Sequence, residues 1–116
     1  MRMYLHQVDT DLLIVEASEA INDDQSESII DALESEIMAG KHSKIIVDCS
    51  QVQFLSSFGL SLIMRLNNAS KKSKSDLKLA GINSLMHEVL RATRLTQTFL
   101  LYPDVEAARG AFHLRR

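Results

Sequence analysis

The sequence predicts an α/β fold, a mixed sheet of about five strands with about four helices packed against it, in the order ββαβαβαβα. Three observations predict it. Two short β-like runs open the chain, separated by turn residues. Compact apolar runs then alternate with segments whose apolar residues recur at helical spacing. Asparagine, serine and glycine stand at the joins, where helix caps and turns need them. A leading hairpin followed by such alternation gives a mixed sheet covered by helices.

The elements follow in order. Residues 4–8 and 12–17 are the opening strands, and Asp9-Thr10-Asp11 between them is turn chemistry, so they form a hairpin. Asn22-Asp23-Asp24 supplies cap side chains and negative charge at a helix start. Ile29 or Ile30, Leu33 and Ile37 continue that helix at core spacing, with Asp31, Glu34 and Glu36 for the wet face. Gly40, which tolerates left-handed dihedrals, ends it. Residues 44–49 carry three β-branched side chains in a row and read as a buried central strand. A second helix follows Ser56-Ser57-Phe58-Gly59, with Leu60, Ile63, Met64 and Leu66 on the core, and Asn67-Asn68 with the lysine-serine stretch closes it. Residues 77–80 read as another strand, its apolar run broken by Lys78. Ser84 or Asn83 caps a third helix that carries Leu85, Met86, Val89 and Leu90 inward. Residues 99–102 form a short last strand, and Pro103 suits the first turn of a helix over 105–112.

Composition bounds the function. A chain of 116 residues without repeat, low-complexity segment or long linker fits one domain over 1–116. Its 46% hydrophobic and 24% charged residues are ordinary for a soluble globular protein, which sets disorder aside. The net charge is −2, aromatics are few, and the one tight basic cluster is Lys71, Lys72 and Lys74. No nucleic-acid partner is expected from that balance, and the lysines read as a solvated helix end. Cys49, the single cysteine, follows Ile45-Ile46-Val47 and should be a buried, unreactive thiol. No run approaches the ~18 apolar residues of a membrane span, and the opening residues lack an apolar signal core. A cytoplasmic protein without membrane insertion is expected.

No catalytic constellation emerges, so the chain is not expected to be an enzyme, and neither metal nor cofactor is expected. His6, His42, His87 and His113 lack the paired spacing of a zinc site. Gly59 and Gly81 are isolated, so no phosphate-cradling loop is present. Ser57 lies outside a G-x-S-x-G elbow, and Asp48 at a strand end reads as a turn residue. The informative stretch is 48–59, where a buried strand runs into a loop that ends in small hydroxyl residues before a helix. Ser56 or Ser57 can cap that helix. The same position suits a phosphate, because a helix start carries partial positive charge and unpaired N–H donors.

The run Ile45-Ile46-Val47-Asp48-Cys49-Ser50-Gln51-Val52-Gln53-Phe54-Leu55-Ser56-Ser57-Phe58-Gly59-Leu60 resembles the STAS family. That family includes bacterial anti-sigma factor antagonists and sulfate transporter tails, and its mark is an apolar strand leading to D-S-S-G-L or S-S-A-G-L. The likeness extends to Ile21-Asn22, to Leu77-Lys78-Leu79-Ala80-Gly81 and to Val89-Leu90, Leu95 and Phe99. The resemblance implies a STAS-type domain that acts as a regulatory protein-binding module. It implies Ser57 as phosphoacceptor, with Asn22, Ser56, Phe58 and Gly59 forming the partner surface. The implied partners are an anti-sigma factor or serine kinase of the histidine-kinase-like ATPase type, and a phosphatase. An alternative is a constitutive scaffold, serving a signalling complex or a lipid-transport ABC system without phosphorylation. Homo-oligomerisation is left open. Four positions depart from the pattern: Ser56 replaces an Asp, Phe58 a small residue, Asn22 an Asp common in many members, and Arg94 a common Gly.

Overall fold

A computed structural model describes the backbone of residues 2–7, 12–18, 24–53, 57–96 and 98–114, and the side chains of 12–17, 27–53, 58–96 and 98–112. Among these, five strands and four helices follow in the predicted order. They are β1 (Arg2–Gln7), β2 (Leu12–Ser18), α1 (Asp24–Met38), β3 (Lys44–Gln51) and α2 (Ser57–Lys72), then β4 (Asp76–Ala80), α3 (Ser84–Ala92), β5 (Leu100–Tyr102) and α4 (Val105–Leu114). The sheet order is β1-β2-β3-β4-β5. β1 runs antiparallel to β2, and β2 to β5 are parallel. The predicted turn at Asp9-Thr10-Asp11 lies outside the described residues, as do Asn22 and Asp23.

Alternation along each strand divides the sheet into two faces. Leu13, Val15, Ala17, Ile45, Val47, Cys49, Leu77 and Leu79 pack with Ile30, Leu33 and Ile37 of α1, Leu60, Leu62, Ile63 and Leu66 of α2, and Met86 and Leu90 of α3. Leu12, Ile46 and Ala80 point the other way, against Ala108 and Phe112 of α4. The three crossover helices therefore cover one face and the terminal helix the other. No helix among the described residues is long and apolar enough to cross a membrane.

The three crossover helices end alike. After α1, Lys41 N–H bonds Glu36 O (3.1 Å) and Gly40 N–H bonds Ile37 O (3.0 Å), with Gly40 at φ 77°. This double bond around a left-handed residue satisfies carbonyls that the helix would otherwise leave open. After α2, Ser75 N–H reaches Ser70 O (2.8 Å) and Lys74 sits at φ 61°. After α3, Leu95 N–H reaches Leu90 O (2.7 Å) and Arg94 also sits at φ 61°. Arg94 thus holds a conformation that favours glycine.

Three local expectations change. Leu85 is 54% exposed rather than core, because its neighbour Met86, fully buried, takes the inward direction. Leu62 joins the core while Met64 is only half-buried, since α2 lies over the sheet with a wide apolar face. Asp104, not Pro103, starts α4: its carboxylate accepts from Ala107 N–H (2.8 Å), and Pro103 precedes it. A side-chain cap decides that start more strongly than a preset proline φ does.

Candidate functional site

The predicted site depends on the connection from β3 to α2. β3 ends in a tight turn: the Asp48 carboxylate accepts from Ser50 N–H (3.0 Å), and Val52 N–H donates to Cys49 O (2.9 Å). Asp48 is thus the turn residue the sequence suggests. Val52 is buried and anchors the loop to the crossover face.

The neighbouring connection holds this loop from the side. Gly81, just after β4, is at φ 72°, and its N–H donates to Tyr102 O (3.0 Å). A Cβ at Gly81 would meet Ser50 Cβ at 3.0 Å and its Cα at 3.2 Å. Glycine is required there both by conformation and by close approach. Two residues on, Asn83 caps α3 by accepting from Met86 N–H (2.8 Å). Its Nδ2 donates to Val52 O (3.1 Å) and Gln53 O (3.5 Å).

α2 begins at Ser57, so the proposed phosphoacceptor occupies the helix's first position. Its side chain, Ser56 and Asn22 lie outside the described residues. Phe58 is 40% exposed, whereas Gly59 is buried beside it. Ser61 Oγ donates to Phe58 O (2.6 Å). The first turn of α2 holds no acidic side chain, so no carboxylate of its own offsets the partial positive charge at the helix start.

α2 and α3 both start at the carboxyl edge of the parallel strands, where open α/β sheets commonly present their sites. That edge therefore carries exposed Phe58 and exposed Leu85. Ile82, Asn83, Ser84, His87 and Glu88 line a shallow cleft of about 320 Å³ there. The sequence did not single out Leu85 as surface or Asn83 as a link. The adjacent Leu85-Met86 pair was the available signal for the first, since adjacent helical residues point about 100° apart and only a wide apolar face buries both.

Among the described residues most other polar groups find partners locally, although the buried Nδ1 of His42 has none. Burial, helped by the neighbouring Asp48 charge, pushes the Cys49 thiol up to about 12, so it stays protonated at neutral pH. His42 is buried and pairs with Glu36 (Nε2–Oε1 2.8 Å). Between α1 and α2, Arg65 bonds Glu34 (3.0 Å) and Asp31 beside a cleft of about 470 Å³. Among the described residues no three His, Cys, Asp or Glu side chains gather where they could hold a metal.

The family model described as STAS domain matches residues 4–108. No curated protein matches the sequence. Among solved structures, an anti-sigma factor antagonist from Mycobacterium paratuberculosis superposes with a TM-score of 0.81 at 21% identity, covering 97% of this chain and 93% of that one. The Bacillus cell fate determinant SpoIIAA in its phosphorylated form gives 0.77 at 16%, covering 98% and 100%. A sulfate transporter family protein from Wolinella succinogenes gives 0.75 at 13%, covering 94% and 90%. At these identities the three structures establish a shared fold.

Proposed function

Because the chain belongs to the STAS domain family, we propose that it is a cytoplasmic protein-binding regulator of the anti-sigma factor antagonist kind, switched by phosphorylation of Ser57. The observation that carries the proposal is the position of Ser57 as first residue of a 16-residue helix with no acid in its first turn, beside exposed Phe58. A phosphate there adds about −1.5 to −2 charges and three acceptor oxygens, and the helix start accommodates them without refolding. A partner docked over Phe58 then meets a group that must be desolvated, and it loses affinity.

In this reading the chain supplies no catalysis. A serine kinase of the histidine-kinase-like ATPase type, itself the anti-sigma factor, transfers the γ-phosphoryl group of ATP to Ser57 Oγ, and a phosphatase removes it with water. Ser56, Asn22 and Gly59 extend the contact surface. The fold shared with a structure of a phosphorylated antagonist supports the reading.

The test is capture of partners by wild type, Ser57→Ala and Ser57→Asp, with phosphate mapped by mass spectrometry. We expect the Ala form to retain a kinase-type partner, the Asp form to release it, and phosphate to appear on Ser57. Equal capture by all three, with no phosphate, would sink the switch. The likeness to a sulfate transporter family protein favours a second reading, a constitutive STAS scaffold, for which equal capture is the expected result.

A further inference from the structure

We propose that Asn83 is a positioning residue that couples the Ser57 connection to the start of α3, so that a charge placed at Ser57 is felt at the exposed Leu85 turn. The inference rests on the reading of Ser57 as phosphoacceptor.

Three hydrogen bonds leave one amide in two directions. Asn83 Oδ1 accepts from Met86 N–H at 2.8 Å, inside α3. Its Nδ2 donates to Val52 O at 3.1 Å and Gln53 O at 3.5 Å, in the connection that leads to α2. Only this amide orientation satisfies all three, since both loop partners are acceptors and the helix partner is a donor. A cap needs the oxygen alone, and serine or aspartate would supply that. The Nδ2 bonds are additional to capping and run between residues about thirty positions apart in sequence.

A second contact joins the same two connections. Ser50 lies against Gly81 at 3.0–3.2 Å from where a Cβ would stand, two residues before Asn83. Val52 and Met86 are both buried in the same apolar cluster. The two connections therefore meet at the carboxyl edge, joined by packing at Ser50–Gly81 and by the Asn83 amide. Motion of the Gln53 carbonyl toward or away from Asn83 changes the cap that fixes the first turn of α3. That turn presents Leu85, 54% exposed, and opens on the cleft lined by His87 and Glu88. A partner that spans Phe58 and Leu85 would thus read the state of Ser57 twice: directly through charge, and through the set of the α3 turn.

The experiment is a double-mutant comparison by amide NMR on the isotope-labelled full chain, with no partner needed. Ser57→Asp is introduced into wild type, Asn83→Ser and Ser84→Ala backgrounds. Asn83→Ser keeps a capping oxygen but cannot reach Val52 and Gln53, whereas Ser84→Ala leaves both functions of Asn83 intact. We expect Ser57→Asp to shift the amides of 84–88 in wild type and in Ser84→Ala, and that response to fall by about half or more in Asn83→Ser. Shifts at Leu60 and Ser61 should be the same in all three, which reports that each variant is folded and that the charge is sensed locally. An equal α3 response with and without the Asn83 amide overturns the proposal, and so does its absence in wild type. Either failure is separable from failure of the switch itself, which is read from partner capture and phosphate mapping.

Discussion

The two faces of the sheet are built differently. Under α1, α2 and α3, the inward side chains of β2, β3 and β4 are apolar from Leu13 to Leu79. Under α4 alone, Leu12, Ile46 and Ala80 share their layer with Lys78, which is 1% exposed. The Lys78 ammonium lies 3.3 Å from Asp76 Oδ2, and 4.4 and 5.4 Å from the ring centres of Phe112 and Tyr102. Half-buried Glu16, Lys44 and Asp48 fall on this same side by alternation. Three helices can exclude polar atoms from the sheet they cover. A single helix leaves room for a long side chain to run beneath it, with the stem packed and the charge carried toward the partly exposed Asp76.

The comparison breaks first at Lys78. Lys78→Ala should lose about 2–4 kcal/mol, because it removes the packed stem and leaves space beside Phe112. Lys78→Met should stay within about 1 kcal/mol of wild type, since an apolar residue of similar length often replaces a buried charge at little cost. Urea unfolding of both variants decides it. If Met falls as far as Ala, the charge rather than the stem holds α4, and the contrast between the faces is electrostatic.

The crossover face has its own pH signature. Cys49 titrates near 12 in the fold against an ordinary 9.0, chiefly through burial. Above pH 9 the unfolded chain gives up that proton while the folded one keeps it, so stability is present below 9 and falls as pH rises towards 12. Between roughly pH 9 and 10.5 the loss should be about 1–2 kcal/mol, since the slope is half of 1.36 kcal/mol per unit at pH 9 and approaches that value above it. Cys49→Ala, although less stable throughout, should lack this component in urea titrations at the two pH values. An identical alkaline slope in both chains would show that the thiol is not the group responsible.

The smallest effect sharpens the likeness among the three crossover helices. Gly40 ends α1 at φ 77°, and Arg94 ends α3 at φ 61°. Arg94→Gly should raise stability by about 0.5–1 kcal/mol, the left-handed penalty less the extra freedom of glycine in the unfolded chain. A fall in melting temperature would mean that the Arg94 side chain holds something more valuable than its backbone costs.

Much of the fold was legible because its periodicities are clean. Ile30, Leu33 and Ile37 mark one stripe, and residues 45–47 mark a strand buried on both faces. Lys78 read as a break in a strand, since a charge in an apolar run gives no sign of the rings and carboxylate that receive it. Ser57 fell at the first position of α2, as the loop chemistry suggests. Asn83 read as one candidate cap, but its reach to Val52 and Gln53 depends on two connections meeting at the sheet edge. No local window contains both partners. Leu85 was assigned inward by composition and turned outward by the Met86 beside it.

The far rim of the sheet carries one further consequence. β5 is three residues long, and Pro103 follows it immediately without an N–H to offer. An edge that short gives a foreign strand almost no ladder to extend, although Leu100 there is 46% exposed. The chain can therefore leave a sticky side chain on its rim at cellular concentrations without inviting strand-by-strand polymerisation from that side.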